Sequence, residues 1–548
     1  MATLLVFTVL LPMLGSLFLL LSPRLDVKTA RAVALGTALA TLALSLVFLL
    51  AFKTEVSTPQ FAFLDGTKYG LSWMERPDIR FSLGLDGLSL YLFGLTSLLM
   101  ITAIFASWES ITDRAPLHYA FLLALETGLL GLFSSLDVIL FYIFFEFTLI
   151  PLFFLIGIWG GPERRRASIT FFLYTLAGSL LTLLGVIALV VIHYQHSPDN
   201  VLTFSIPELR AGLATLPWEP WSEGWTLSHP WTASPQVLVF LLLFAGFAIK
   251  VPMFPFHTWL PLAHVEAPTA GSILLAGVLL KVGSYGLMRF NLSMTPYGAA
   301  LLWPLLATLA VVGILYGALA ALAQTDIKRL IAYSSVSHMG FIVLGLFAFN
   351  STGMDGAVIQ MINHGITTGA LFACVGVIYE RYHTREIKDI GGLWNRLPLF
   401  TFFFILASMG SAALPGLNGF VGEFPILAGM FERSPRAGVF ASLGMIVGAW
   451  YLLWMLQRVV FGPLREPHGT GHGHDHGDGR GAEPAVVRPI GWHEIAGLTP
   501  LMVLIVLIGL FPQPLFDRMR PSVNQVVAPF AASDKARLDA ENIKNGRL

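Results

Sequence analysis

Between residues 3 and 515 the chain returns repeatedly to apolar runs, each close to the roughly 20 residues that carry a helix across a bilayer. A segment in hydrocarbon must satisfy its own backbone hydrogen bonds, so runs of this length read as helices. Only 12% of the residues are charged and 55% are hydrophobic, against about 25% charged in an ordinary soluble domain. The runs fall at 3–21, 31–52, 83–107, 117–135, 138–159, 169–193, 235–260, 269–290, 297–323, 327–349, 354–379, 397–431, 438–461 and 494–515. They predict an all-α polytopic membrane protein of about fourteen transmembrane helices. The first run has no basic leader and no small-residue cleavage site, so it reads as a retained helix and not a signal peptide.

Two of these runs carry a lysine well inside. Lys250 stands just before Pro252 and Pro255, which lack an amide hydrogen and clash with the preceding turn, so the 235–260 run should break there, near 250–256. Lys281 lies more than two turns from either end of the 269–290 run, too deep to reach the headgroups. A cation at that depth costs about 2.5–3.5 kcal/mol on insertion scales. Of 33 lysines and arginines, every other one falls in a loop, a tail or the end of a run. With the amino terminus outside, Arg24, Arg114, Arg164, Arg165, Arg166, Lys328, Arg329 and Arg458 face inward, and both termini lie outside.

Three acids share these apolar surroundings: Glu126, Glu146 and Glu423. Nothing one turn from Glu146 carries a charge, so its partner must come from another helix, and Lys250 is the economical choice. At about 4 Å and an effective dielectric near 20 such a pair is worth about 4 kcal/mol. A shift of a few ångströms would then switch the lysine between holding and releasing a proton. Pro415, Gly416 and Gly419 interrupt the 397–431 run just before Glu423, a second break near 415–419 that mirrors the first. Two broken helices with charges at the breaks are the pattern of inverted repeats around a midplane site. The repeats, five helices each, are placed at 117–290 and 297–461, after amino-terminal helices and an outward loop over 1–116. A His/Gly-rich inward loop at 462–493 and a last helix with an outward tail at 494–548 complete the chain. His338 and His364 lie between the charges, with Ser334, and with Thr367 and Thr368, at helical spacing from them. Asp86, Asp137 and Glu494 sit near helix ends and read as interfacial.

One cysteine, Cys374, excludes an intrachain disulfide and a cysteine-ligated iron–sulfur or zinc site. No phosphate-binding loop supports nucleotide binding, and zero net charge points to no nucleic acid. The tract from His468 to Gly481 has no fixed ligand frame and reads as a loop, not a metal site.

The segments GLDGLSL, FYIFFEFTLIPLFFLIGIWGG, FPFHTWLPLAHVEAPTAGSILLAGVLLKVGSYGLMRF, DIKRLIAYSSVSHMGF, INHGITTGALF and LPGLNGFVGEF resemble the M-type antiporter-like subunits of proton-pumping NADH:quinone oxidoreductase, respiratory complex I, called subunit 4 in mitochondria. The resemblance runs from about residue 83 to 461. It implies a proton-translocating membrane-arm subunit with Glu146 and Lys250 as coupling pair, Lys281 as central relay, His338 and His364 as connection and Glu423 as terminal group. It departs at Leu262, where the family generally has an aspartate; His257 and His264 are placed to compensate, and Glu126 is a further candidate. The implied partners are the other membrane-arm subunits, the lipid bilayer of a bacterial plasma membrane and, indirectly, a peripheral arm holding flavin and iron–sulfur clusters, with no cofactor in this chain. A cation/proton antiporter subunit of the Mrp type and a proton-pumping hydrogenase subunit are the alternatives.

Overall fold

The computed structural model describes residues 1–66, 68–197, 201–214, 235–467 and 487–544, with the side chains of the last helix followed to residue 531. Among the described residues, eleven helices are long and apolar enough to cross a membrane. Three shorter apolar helices accompany them: Leu90–Ala106, Pro235–Lys250 and Pro398–Ser411. The chain is a multi-pass, mostly helical membrane protein. The 1–116 segment adds something that helical patterning did not show, two small antiparallel hairpins pairing Leu64–Asp65 with Lys68–Tyr69 and Leu71–Met74 with Ile79–Phe81. The tract from His468 to Gly481 and the tryptophans between 215 and 234 lie outside the described residues.

Both expected breaks are present. Pro235–Lys250 ends on the lysine itself and the chain resumes as Trp259–Glu266. The carbonyls freed there are taken up locally: Trp259 Nε1 donates to Ile249 O (3.0 Å) and the Met253 amide to Ala248 O (2.9 Å). Pro398–Ser411 stops ahead of Pro415, and Asn418–Arg433 follows, with Asn363 Nδ2 donating to Asn418 O (2.7 Å). A third interruption was not expected. The 138–159 run parts at Thr148 into Val138–Phe147 and Leu149–Trp159, two residues after Glu146, because Pro151 has no amide hydrogen for the Phe147 carbonyl.

The Lys281 helix, Thr269–Leu292, is continuous but not uniform: Leu275–Leu279 and Leu287–Leu292 are π-helical, on either side of an α-helical Leu280–Gly286. Such wide turns cluster at functional positions. Close packing brings the neighbours in. A Cβ at Gly283 would run into Val251 N and Phe247 O, so the Lys250 helix seats directly on the Lys281 helix. A Cβ at Gly422 would strike Gln360, which seats Asn418–Arg433 on Ser351–Tyr382 in the same way.

The expectation that only Lys250 and Lys281 are buried cations is corrected. Arg289 (6% exposed) pairs with Asp86 (4%) at 2.6 Å, and Tyr285 OH accepts from both Nε and Nη2 of the same arginine. Asp86, read as interfacial, is covered because Gly87 N donates to Ser522 Oγ (3.1 Å) of the last helix, Gln513–Lys544. The tail expected there is helical and packs against the bundle: Phe530 stacks on Phe349 at 4.0 Å. Lys328, also buried, donates to Ala267 O (2.6 Å), the carbonyl that closes Trp259–Glu266. Asp137 and Glu494 are buried as well. Asp137 caps its helix through the amides of Ile139 and Leu140, and Glu494 pairs with Arg381 at 2.7 Å.

Removing one partner of a buried ion pair leaves the other charge uncompensated, at a cost of about 3–5 kcal/mol. Asp86→Ala is therefore expected to lower the thermal stability and yield of assembled protein strongly. The double change with Arg289→Leu should recover most of the loss in a melting experiment. Equal losses for the single and double variants would show that the pair is not what holds this corner together.

Candidate functional site

One line of side chains crosses the interior of the bundle. Lys281 Nζ donates to Ala276 O (2.5 Å), a carbonyl of the first π-helical stretch, and to Nδ1 of His364 (2.6 Å) on Ser351–Tyr382. The His364 ring lies 5.6 Å, centroid to centroid, from that of His338 on Ile327–Leu346. His338 Nδ1 donates to Glu423 Oε1 (2.7 Å), beside the second broken helix. Lys281, His364, His338 and Glu423 are at most 5% exposed, so the line is sealed from bulk solvent. Four different helices supply its four members.

The supporting contacts differ from those expected. Ser334 and Thr367 bond to carbonyls of their own helices, Ile331 O (2.8 Å) and Asn363 O (2.9 Å), and not to the imidazoles. The hydroxyls that do approach His338 Nε2 come from other helices, Ser411 Oγ at 3.3 Å and Tyr451 OH at 3.4 Å. With Glu423 accepting from Nδ1, the other nitrogen of a neutral His338 is free to accept from these hydroxyls. Gln360 Nε2 donates to the same Glu423 oxygen at 3.0 Å. Gln360 lies four residues before His364, and that helical spacing was a readable signal. Ser411 and Tyr451 had none, since only packing brings them to His338.

Glu146 and Lys250 do not form the direct ion pair expected of them. Lys250 is buried, and its Nζ lies 4.8 Å from the centroid of the Phe145 ring. Neither Lys250 Nζ nor Glu146 Oε1 has a hydrogen-bond partner among the described residues. The reason lies in helix geometry: Phe145 and Glu146 are consecutive and so point about 100° apart, and it is Phe145 that takes the place facing the lysine. Glu126 is wholly buried with both carboxylate oxygens unpartnered, outside the line. His264 stacks on Phe372 (4.6 Å, 5°) with both ring nitrogens unpartnered, and His257 packs on Tyr316 (4.8 Å). Phe372 also lines a cavity of about 170 Å³ whose rim holds Glu266, Lys328 and Arg385. Leu262 between the two histidines is only partly buried. Cys374 is buried and free, and no group of three or more metal-ligating side chains occurs among the described residues.

A multi-pass helical bundle with a sealed line of titratable side chains between two broken helices belongs with membrane proteins organised around an internal polar path. The chain belongs to the NADH:quinone oxidoreductase/Mrp antiporter transmembrane family, whose model matches residues 135–448, and within it to the subunit M or chain 4 members. It is 42% identical over 506 residues to NADH-quinone oxidoreductase subunit M of Rhodobacter capsulatus, covering 92% of each chain. It is 39% identical to NADH-ubiquinone oxidoreductase chain 4 of Chondrus crispus, covering 95% of this chain and 97% of that one. Among solved structures it is similar to a chain of respiratory complex I from Thermus thermophilus with bound NADH, at a TM-score of 0.79 and 30% identity, covering 96% of this chain and 99% of that chain.

Proposed function

We propose that this chain is a proton-translocating membrane-arm subunit of a redox-driven NADH:quinone oxidoreductase and does no redox chemistry itself. The observation that carries the reading is the sealed connection from Lys281 through His364 and His338 to Glu423. Each member can take up and release a proton, and consecutive members are in hydrogen-bond contact except the two imidazoles, whose centroids are 5.6 Å apart, a gap that a single water would bridge. Lys250 and Glu146 set the charge at the head of the line, and movement of Glu146 about the Thr148 interruption alters the field on Lys250. His257, His264 and the cavity beside Phe372 supply protons from the inward side in place of the acid that Leu262 lacks, and Glu126 holds a proton in reserve.

The membrane frame belongs to the same proposal. Fourteen spans are reached by counting the three shorter apolar helices with the eleven long ones. The corresponding breaks at 250–256 and 415–419 support two inverted repeats over 117–290 and 297–461. Both termini lie outside a bacterial plasma membrane. The electron carriers, flavin and iron–sulfur clusters, are held by the other subunits of the complex.

The reading is tested at the far end of the line. Glu423→Ala is expected to leave the complex assembled and lower proton translocation per NADH oxidised by about tenfold or more, since loss of a positioned acid–base group typically costs 10²–10⁴ in rate. Glu423→Lys should retain part of the activity, because it restores a titratable group at the same place. An alanine variant that pumps like the parent would make Glu423 a structural acid. The family also contains Mrp antiporters, so the purified chain should be assayed for sodium–proton exchange in proteoliposomes. Exchange without an electron donor would replace the redox-driven reading.

A further inference from the structure

On its outer side the helix Pro435–Val459 carries a groove unrelated to the proton line. Its apolar part, about 480 Å³, is bounded by Ile446, Trp450, Leu453 and Trp454. Trp454 and Gln457 also border the next part, about 500 Å³, which holds Arg458 and Arg465. Arg465 in turn borders a third part of about 570 Å³ with Lys388. We propose that this groove binds an anionic phospholipid, with acyl chains against Ile446, Trp450 and Leu453 and the phosphate held by Arg458, Arg465 and Lys388.

Depth and charge both favour this occupant. Ile446 and Arg458 are twelve residues apart on one helix, about 18 Å at 1.5 Å per residue, which compares with the 15 Å or so of half a hydrocarbon core. The apolar part therefore spans one leaflet, and the cations begin where the headgroups begin. Trp450 and Ile446 are 59% and 64% exposed, so the apolar face is open to lipid. The Arg458 guanidinium lies over the Trp454 ring at 4.1 Å, which holds its plane and leaves its N–H edge for a phosphate. Among the described residues Arg458, Arg465 and Lys388 are exposed and make no salt bridge. Two acids line the third part as well: Glu466 is paired with Arg396 (3.2 Å), while Asp389 accepts from the Thr384 hydroxyl (3.3 Å) and keeps its charge. Arg458, Arg465 and Lys388 against the one unpaired carboxylate leave this end net positive at the membrane boundary, the arrangement that attracts anionic headgroups.

The test uses the assembled complex in nanodiscs carrying a trace of diazirine-labelled phosphatidylglycerol or, separately, diazirine-labelled phosphatidylcholine. After photolysis, labelled peptides are mapped by mass spectrometry. The anionic probe is expected to label residues 446–465 about fivefold more than the zwitterionic one. The doubly substituted Arg458→Gln, Arg465→Gln variant should lose that excess, and Arg458→Lys, Arg465→Lys should keep it. Equal labelling by the two probes, an excess that survives the glutamine variant, or no labelling because a neighbouring subunit covers the groove would each overturn the proposal.

Discussion

Lys281→Arg is expected to stop redox-driven proton translocation almost as completely as Lys281→Ala, a fall of about tenfold or more, while the complex assembles at least as well as with alanine. Arginine keeps the positive charge, but a guanidinium does not deprotonate in proteins, so it supplies a field without a transferable proton. The geometry sharpens the contrast. Lys281 Nζ reaches both Ala276 O and His364 Nδ1 from a single compact ammonium, at 2.5 and 2.6 Å, a place the planar guanidinium fork does not fit without moving one partner. Translocation is read as acidification of inverted vesicles normalised to NADH oxidation. Normal translocation by an assembled arginine variant would mean that position 281 provides a fixed charge and never carries the proton.

Glu146→Gln should cut translocation by a similar factor with little effect on assembly, because the amide preserves shape and removes the charge that Lys250 responds to. Without direct contact between Glu146 and Lys250, the coupling lies below the roughly 4 kcal/mol of a pair at 4 Å. A coupling of even 1.4 kcal/mol is a factor of about ten in a protonation equilibrium, so the longer separation still leaves a large effect. A companion measurement separates field from contact. Phe145→Leu removes the ring beneath Lys250 Nζ and keeps the carboxylate, so it should disturb pumping much less than Glu146→Gln. The reverse order would assign the control of Lys250 to the aromatic ring.

The six groups of the proposed path were visible in the chain because each breaks a rule of its surroundings. Lys250, Lys281, Glu146 and Glu423 are charges within apolar runs, and such charges are expensive enough to stand out one at a time. The breaks after Lys250 and before Glu423 were equally visible, since proline acts on its own turn. Arg289 does not stand out in the sequence because it lies at the end of a run, where a cation normally reaches water. Only the fold shows that Asp86 and the last helix cover it. The break at Thr148 is hidden for a different reason: the run around Pro151 is apolar enough to read as one unbroken span.

The sequence by itself determined the class of protein, two of the places where its helices break and the titratable groups of the proposed path. These follow from transfer energies and backbone constraints that act within a turn or a span. Tertiary structure alone decided the partnerships: Lys281 with His364 and His338 with Glu423, pairs 83 and 85 residues apart, and Lys250 over Phe145 and not against Glu146. A helix's sequence says which residues share its face, but the rotation of that face toward a neighbour depends on interlocking surfaces, here on glycines such as Gly283, which lets two backbones meet, and Gly422, which makes room for the Gln360 side chain.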